Sequence, residues 1–570
     1  MRRTRTLAVL STAALLVVSA CSGSSGNGSS GGPTSTPAAG APASQAGGSS
    51  QAGGSSPSQA GGSSPSSTTG APPAKGGTFT MGVANDPGNL DPSMTVLSVT
   101  RLVSDLAYDA LVNAQDDGTV KSGLAKSWKS TANSVTLTMT KGVTCSDGSP
   151  FTAKDAADNL NYIADPANKS PVLGLFLPVG VKATADAGAA TVTVTSPMPD
   201  AFLLQNLAGV LMVCAAGLKD HKLLAGKTIG TGPWVLSQAA PGDHYTYTKR
   251  AGYTWGPGGA APDQPGTPDS VNVRVIANPT TLANLVLAGQ INYAAVSGNE
   301  AKRLDAAKLA TINLITPTGE TWFNETAGRP GADPKVREAL ATGTDIAQIM
   351  KVAVAGKGGP SKGAITLAPN PCQADTVTAN LPKFDVAKAK SLLDAAGWAV
   401  GGNGIRSKAG KPLAMTFLYL PAFGQAVTAA AELLASQWKT LGVDVTLKAA
   451  TDTQLGDIVF STGAWDAGWI QVTLTLPSQF VPFASGKIPP AGTNFGHIAN
   501  SQYTTTAAKA AVAATVATAC PLWQQAEESL YKNFDIVQMY DFYASTYLKN
   551  AQASIRGGEL VGSSLRLTQG

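Results

Sequence analysis

The sequence has few of the side chains on which catalysis and metal binding depend. It contains three histidines and five cysteines in 570 residues, and charged residues make up only 14% of the chain. It has no HExxH, CxxC, phosphate-loop or GxSxG motif, and the AGKT stretch at Ala225 lacks the upstream glycine of a nucleotide-binding loop. We therefore expect neither an enzyme nor a protein with a resident metal or cofactor.

Excess positive charge is also missing once the amino terminus is set aside. Arg2, Arg3 and Arg5 are three of the 41 basic residues, and the others nearly balance the 36 acidic residues. No stretch combines clustered basic residues with interleaved aromatic ones, the pattern typical of nucleic-acid-binding surfaces. Nucleic acid is therefore not an expected partner.

The chain also lacks a run of about 18 apolar residues, the length that a membrane-spanning helix needs. A shorter run from Leu7 to Val18 follows the three arginines and ends in Val18-Ser19-Ala20-Cys21. This pattern predicts a lipoprotein signal over residues 1–21 with a lipid such as palmitate on Cys21; an ordinary secretory signal that contains a cysteine is the alternative. The lipid alone would anchor the protein to the extracytoplasmic face of the cell membrane, on the cell-wall side.

Residues 22–75 have the composition of a flexible tether. No charged residue occurs from Ser22 to Ala74, and the sequence QAGGSS recurs at Gln45, Gln51 and Gln59. Such a segment has too little apolar surface to offset the entropy of ordering. Its typical reach is roughly 40 Å, from about 5–6 Å times the square root of its length.

The four remaining cysteines form an even set in a chain that we expect to be exported. They are Cys145, Cys214, Cys372 and Cys520. Two disulfides are the natural interpretation, with buried free thiols as the alternative. Zinc is disfavoured because no cysteine pair has the ligand spacing of a zinc site.

The remaining sequence is too long for one hydrophobic core, so we expect at least two lobes. A central stretch combines a strand from Thr321 to Asn324, a turn from Gly328 to Asp333, and a helix capped by Asp333 with Pro334 in its first position. Thr152 and Asp155 have the spacing of a capping box at the start of another helix. Helices that alternate with strands, as in residues 278–296, predict a partly parallel sheet.

Several passages in order resemble the family 5 solute-binding proteins of bacterial ABC importers, which bind oligopeptides and dipeptides. They are Phe323-Asn324 followed by PKVREAL, the run GTGPWVL at Gly230, and the ordered fragments LDP, YDALV, LAKSW and GVTCSDGSPFTAKDAADNL. The resemblance extends from about Gly77 to Arg556. It implies a monomeric binding protein that captures a small organic solute and works with ABC permease subunits in the membrane.

The resemblance also implies the fold class and the domain arrangement. The expected fold is α/β, two-lobed and periplasmic-binding-protein-like (type II, with an extra subdomain), with a hinge between the lobes. The expected segments are 76–106, 225–321 and 530–570 for lobe I, 107–224 for a subdomain inserted in lobe I, and 322–529 for lobe II. The implied disulfides join Cys145 to Cys214 and Cys372 to Cys520, because each pair then lies within one lobe or subdomain.

Aromatic and amide residues of lobe II are the candidates for solute binding, since large aromatics provide contact area and amides orient polar groups. The candidates are Trp322, Asn324, Trp465, Trp469, Gln471 and Asn494. Core packing is the alternative for these residues, and it is the favoured role for the neighbouring Phe495.

One departure from the family bears on the solute. Peptide binders carry an aspartate for the peptide amine in the passage that here reads WIQVTLTLPSQF, and this chain has no acid between Trp469 and Phe480. An unpaired buried ammonium costs several kcal/mol, so we expect a solute that is uncharged at that end, such as a glycan or blocked peptide. A second hypothesis is a cell-envelope scaffold or regulator that kept the fold, lost transport and binds a glycan or glycolipid.

Overall fold

The computed structural model describes residues 71–569 and has two lobes, each built on its own β-sheet. The strands are β1 Thr78–Val83, β2 Val112–Ala114, β3 Val120–Ser122, β4 Ala125–Ser130, β5 Ser134–Met139, β6 Lys182–Asp186, β7 Thr191–Thr195, β8 Trp234–Ala240, β9 His244–Lys249, β10 Ser270–Val275, β11 Tyr293–Ala295, β12 Ala310–Pro317, β13 Glu320–Phe323, β14 Gly358–Gly359, β15 Ala399–Val400, β16 Arg406–Lys408, β17 Lys411–Pro412, β18 Ala414–Tyr419, β19 Asp444–Ala449, β20 Ala467–Trp469, β21 Ile536–Gln538, β22 Asp541–Leu548, β23 Ala551–Gln552, β24 Ile555–Arg556, β25 Glu559–Leu560 and β26 Arg566–Leu567.

The α-helices are distributed over both lobes and the subdomain. They are α1 Ser98–Ala107, α2 Ala153–Ala164, α3 Leu203–Asn206, α4 Ala215–Lys219, α5 Pro279–Leu287, α6 Gly298–Ala306, α7 Pro334–Thr342, α8 Ile346–Val354, α9 Val386–Ala395, α10 Gln425–Thr440, α11 Asp452–Asp457, α12 Val481–Ala484, α13 Ser501–Ala511 and α14 Val516–Lys532. None of these helices is both long enough and apolar enough to cross a membrane.

The first lobe contains an eight-stranded mixed sheet. Its order is β12-β22-β11-β1-β10-β9-β8, and β14 pairs with the start of β22. β1 is parallel to both β10 and β11, which confirms the expected partly parallel sheet. Helices α5 and α6 cover one face through Leu282, Val286 and Leu304.

The subdomain is a separate antiparallel sheet packed on a helix. β4, β5, β7 and β6 form its four strands, and buried residues such as Val135, Leu137 and Val192 face α2. The Thr152 hydroxyl accepts from the backbone N–H of Asp155, and the Asp155 carboxylate accepts from the N–H of Thr152, so the predicted capping box is confirmed. A disulfide joins Cys145 to Cys214 within this core.

The second lobe has a five-stranded sheet with hydrophobic clusters on both faces. Its order is β19-β18-β20-β13-β21, with β18 parallel to β19 and β20, and β13 antiparallel to both of its neighbours. One face packs on α7, α8, α9 and α10, and the other packs on α13 and α14. The second disulfide joins Cys372 to Cys520 on α14, so both pairs are those that the resemblance implies.

Two neighbouring segments carry the chain between the lobes. Residues 317–320 connect β12 to β13, and residues 538–541 connect β21 to β22. The two segments are paired, because the Gly319 N–H donates to the Tyr540 carbonyl at 2.9 Å and the Met539 N–H donates to the Gly319 carbonyl at 3.0 Å. A Cβ at Gly319 would lie 2.7 Å from the Tyr540 nitrogen, so this close approach requires glycine.

The pairing differs from the expected lobe boundaries at both crossings. Glu320 and Thr321, expected in lobe I, begin β13 of the lobe II sheet, and residues 536–538, also expected in lobe I, form its edge strand β21. The boundaries differ because each crossing segment is a short part of one continuous ladder of hydrogen bonds between the two chain segments. The register of that ladder cannot be read from the sequence.

The amino-terminal boundary also differs slightly from expectation. Residues 73–74 were expected to close the tether, but Ala74 donates to the Leu567 carbonyl at 2.9 Å and Pro73 bridges to Thr568. Residues 73 and 74 therefore belong to the folded part of the chain. The predicted signal, Cys21 and most of the tether lie outside the described residues.

Candidate functional site

A wide cleft lies between the lobes and reaches the second crossing segment at Asp541. Its volume is about 4420 Å³, several times the roughly 300–1,000 Å³ of an enclosed small-molecule pocket. Lobe I and the subdomain supply one wall, and residues 470–476 with 455–460 supply much of the other. The cleft is therefore wider than a small solute, which would need the walls to approach before it contacted both.

The subdomain already touches the second lobe at the edge of the cleft. The Asp116 carbonyl accepts from the N–H of Asn370 at 3.2 Å and from the Gln373 side chain at 2.8 Å, while the Asp116 carboxylate accepts from the N–H of Gly557. The disulfide at Cys372 attaches this contact loop to α14. The loop thus couples both lobes outside the two crossings.

Gln471 is the one sequence-predicted ligand residue that the structure places in the cleft wall. Among the other candidates, Trp322 and Trp465 are fully buried and pack with Phe495, at centroid distances of 4.7 and 6.0 Å. Trp469 is 2% exposed and makes an edge contact with Phe417. The aromatic signal of this region therefore comes from core packing, which was the alternative interpretation.

The two amide candidates stabilise loops rather than face the cleft. Asn324 donates to the Trp465 carbonyl at 3.0 Å, and Asn494 donates to the Ile498 carbonyl at 2.9 Å and accepts from its N–H. Both are at least 97% buried. Their hydrogen-bonding groups are already engaged within the protein. The prediction that these two asparagines bind the solute is therefore wrong, and their role is structural. Phe495, favoured as core, is buried and also reaches the cleft lining.

Residues 469–480, the run that contains no acidic residue, are hydrogen-bonded to Glu320 of the first crossing segment. The N–H of Ile470 donates to the Glu320 carbonyl at 3.1 Å, and the N–H of Val472 donates to the Glu320 carboxyl at 2.8 Å. Glu320 also accepts from the Gln538 side chain at 2.9 Å. Burial raises the pKa of Glu320 to about 8, although these two hydrogen bonds lower it.

Sequence reasoning missed the acid on the other crossing segment. Asp541 is the first residue of β22, is 5% exposed and lines the cleft. Burial raises its pKa to about 7, and the Ser361 hydroxyl lowers it in part. No local motif marks this aspartate, because it reaches the cleft only through the pairing of β22 with β12 and β14.

The cleft wall also contains apolar side chains that the sequence did not single out. Leu97, Val179 and Met198 are 58%, 66% and 65% exposed, and all three line the cleft from the side of lobe I and the subdomain. Large exposed apolar side chains that cluster in a concavity are typical of binding surfaces. Within residues 71–569, no group of three or more histidine, cysteine or acidic residues is arranged to hold a metal ion.

Comparison with known proteins agrees with the two-lobed architecture. The model of the bacterial extracellular solute-binding proteins, family 5 Middle, matches residues 119–487. The chain belongs to this family. Family 5 members are extracytoplasmic binding proteins of transport systems rather than enzymes, and the expected family and fold class are thereby confirmed.

The curated relatives of this family 5 protein match over part of their length. It is 28% identical over 367 residues to the nickel-binding periplasmic protein of Escherichia coli K12, covering 60% of this chain and 65% of that protein. It is 26% identical over 330 residues to the glutathione-binding protein GsiB of the same strain, covering 56% and 62%. The matches thus span slightly under two thirds of either relative.

Solved structures of similar proteins share the fold across nearly all of the described chain. CtaP, an ABC transporter substrate-binding protein of Listeria monocytogenes, superposes with a TM-score of 0.72 at 20% identity, covering 87% of this chain and all of that one. The open form of MppA, a periplasmic murein tripeptide binding protein, superposes with a TM-score of 0.69 at 22% identity, covering 88% and 99%. At these identities the likeness concerns the fold alone.

Proposed function

We propose that this family 5 protein is a solute-binding lipoprotein that delivers a small organic solute to an ABC-type importer. The observation that carries the proposal is the open cleft between two lobes that are joined by two short paired segments. A solute that contacts both walls only in a closed form would shift the population toward closure by its preference for that form. The closed form would then be the species presented to the permease.

A screen of the mature chain by thermal unfolding tests solute binding. Peptides, glutathione, sugars, glycolipid fragments and nickel chelates form the panel, because similar proteins are described as binding nickel, glutathione or a tripeptide. A solute at 100 times its dissociation constant stabilises the folded form by about 2.7 kcal/mol. Small-angle scattering with each hit should show a smaller radius of gyration, because closure brings the lobes together.

Uptake of a labelled hit distinguishes delivery from the scaffold hypothesis. In the source bacterium, deletion of this protein should abolish uptake, and wild-type protein should restore it. A protein that binds the solute and closes, but whose deletion leaves uptake unchanged, would favour the scaffold or regulator. A chain that binds nothing in the panel and does not close would contradict solute binding itself.

The membrane anchor is a separate part of the proposal and rests on the sequence around Cys21. A Cys21→Ala variant should be unprocessed or released to the medium, since the tether has no apolar surface to hold it. Fractionation after a salt wash measures this, with the wild-type chain as control. Equal retention of the variant in the membrane fraction would refute lipid anchoring.

A further inference from the structure

Two carboxyl groups without a cation are buried on the crossing segments, and one of them, Asp541, lines the cleft. Glu320 and Asp541 lie on the two crossing segments, and each is at least 95% buried. None of the ion pairs among residues 71–569 includes either of them. Buried carboxyls are normally paired or fully hydrogen-bonded, so this arrangement needs an explanation.

The two carboxyls differ in how well their oxygens are satisfied. Both oxygens of Glu320 accept hydrogen bonds, one from Gln538 and one from Val472. Oδ1 of Asp541 accepts none from any described residue. Asp541 is therefore the acid in the cleft wall that retains an open acceptor.

Asp541 lines the same cleft as residues 470–476, part of the run in which the acid expected for a peptide amine is missing. Glu320 holds this run through Ile470 and Val472, and the charge of Asp541 contributes to the raised pKa of Glu320. Tertiary pairing thus brings a carboxyl from β22 into the cleft that this run lines without an acid of its own.

We propose that Asp541 binds a positively charged group of the solute, an ammonium or an amidinium, at the wall of the cleft. A cation there would fill the open acceptor and provide the opposite charge that a buried carboxylate requires. The inference rests on the proposed function and deepens it by naming the class of solute. It reverses the expectation, drawn from the sequence, of a solute uncharged at that end.

The charge of the cleft wall agrees with a cationic solute. Acidic residues outnumber basic residues among those that line the cleft, although basic residues slightly outnumber acidic ones in the whole chain. A cleft lined mainly by one sign of charge concentrates solutes of the opposite sign. The exposed side chains of Leu97, Val179 and Met198 offer contact to an apolar body, so the solute class is an organic cation with an apolar part.

A matched pair of probes tests the inference on the mature chain. Trileucine and N-acetyl-trileucine differ only in the ammonium group, and titration calorimetry at pH 7 measures both. We expect trileucine to bind at least tenfold more tightly. In Asp541→Asn this preference should vanish, because the amide keeps the shape of the side chain but not its charge, while the affinity for the acetylated form should remain unchanged.

Asp200→Asn is the matched control. Asp200 also lines the cleft, but its carboxylate already accepts from the N–H of Phe202 at 2.9 Å and from Asn206 at 3.1 Å. This variant should keep the tenfold preference. Circular dichroism and the unfolding temperature show whether each variant is folded.

Proton release provides a second readout in the unaltered protein. The groups packed against Asp541 are Glu320 and the Ser361 hydroxyl, whereas Lys357 beside β14 pairs with Asp305 at 2.6 Å. A cation bound to Asp541 lowers its pKa, so trileucine should release a fraction of a proton at pH 7 and the acetylated form none. Titrations in phosphate and in Tris measure this, because the two buffers differ in ionisation enthalpy.

The outcomes separate this inference from the proposed function. Equal affinity for the two probes, or an undiminished preference in Asp541→Asn, would overturn the role of Asp541 and leave solute binding intact. Failure of both probes while a neutral solute from the panel binds and closes the lobes would do the same. Failure of every solute would remove the proposed function and this inference with it.

Discussion

Two clusters of buried acids lie at the two ends of β21 and are built differently. Before the strand, Asp535 pairs with Arg337 at 2.9 Å, and Glu325 lies 3.2 Å from the same guanidinium. After the strand, Glu320 and Asp541 lie together without a basic partner among residues 71–569. The first cluster has one cation for two acids, and the second has none.

The first cluster lies away from the cleft and is held by one guanidinium, whereas the second borders the cleft through Asp541. The Asp535 carboxylate also accepts from Asn500 at 2.8 Å and from Asn533 at 2.6 Å, so it has no capacity left. Burial and the charge of Asp535 raise the pKa of Glu325. Oε1 of Glu325 and Oδ1 of Asp541 both lack a hydrogen-bond partner among the described residues, but only Asp541 lines the cleft.

Removal of Arg337 should have the largest effect on stability. Arg337→Met leaves Asp535 and Glu325 buried without a cation, and we expect a loss of about 3–5 kcal/mol in the free energy of unfolding at pH 8. The loss should be smaller at pH 5 than at pH 8, because burial raises the pKa of both carboxyls and protonation removes their charge. Urea unfolding with the disulfides intact measures both values.

Two further variants give the range within which the effect of Arg337→Met on stability should be judged. Arg337→Lys keeps a charge but not the forked geometry, so it should recover part of the loss. Lys388→Ala removes a partly exposed pair with Glu338 and should change stability by about 0–1 kcal/mol. An Arg337→Met variant as stable as Lys388→Ala would mean that the pairing does not hold the lobe together.

The next largest effect concerns Asp541 in the protein without solute. Its folded pKa of about 7 exceeds the ordinary value of 3.8, so its contribution to stability is full below about pH 4 and is lost as the pH rises through 7. Asp541→Asn avoids this loss. We expect the variant to exceed wild type by about 2–4 kcal/mol at pH 8 and to match it near pH 4.

Urea unfolding of both proteins at pH 4, 6 and 8 measures that difference. Glu325 titrates in the same range in both proteins and cancels in the difference between the curves. That difference reports on Asp541 together with the change it causes in Glu320, whose pKa the charge of Asp541 raises. If stability changed with pH in the same way in both proteins, burial of the charged Asp541 carboxylate would not destabilise the wild-type fold.

Glu320→Gln should have a smaller effect than Asp541→Asn. The amide removes a buried charge but presents an N–H group to Val472 or Gln538, both of which donate to Glu320. Loss of one hydrogen bond should offset the gain, leaving a net change within about 1 kcal/mol at pH 8. Chemical unfolding in parallel with Asp541→Asn checks the order, and a larger gain for Glu320→Gln would reverse the comparison.

The smallest expected effect concerns Gln471 in the cleft wall, which we compare with Trp465 in the aromatic core. Gln471→Ala should weaken the binding of a solute from the panel about three- to fivefold, since it removes one polar contact in the wall. Trp465→Phe should lower stability without a change in affinity, because Trp465 is fully buried. Affinity measured by calorimetry decides between them, and the reverse pattern would place the solute against the tryptophan.

Local signals in the sequence predicted much of the fold. Asp333 caps α7 by accepting from the N–H of Lys335 at 3.0 Å, and Val336, Ala339 and Leu340 are buried along it as the helical spacing indicates. The predicted capping box of Thr152 and Asp155 is likewise formed at the start of α2. Such caps depend on residues a few positions apart, which is why one sequence suffices to find them.

The candidate site could not be read in the same way. Whether Trp322 faces the cleft or the core depends on the pairing of β13 with β20 and β21, which come from distant parts of the chain. The position of Asp541 depends on β22 in the same manner. A single sequence shows which residues are aromatic or acidic. It does not show the strand register that decides which of them lie in contact.

Strands β21 and β22, the last strands to join the two main sheets, have a consequence for the order in which the protein folds during synthesis. β22 lies between β12 and β11 in the first sheet, and β21 completes the edge of the second. Because the ribosome synthesises the chain from its amino terminus, both sheets remain incomplete until residues 536–548 have been made. The two lobes therefore reach their final form together, and a nascent chain stopped before Ile536 would expose unpaired strand edges on both and be a substrate for chaperones and proteases.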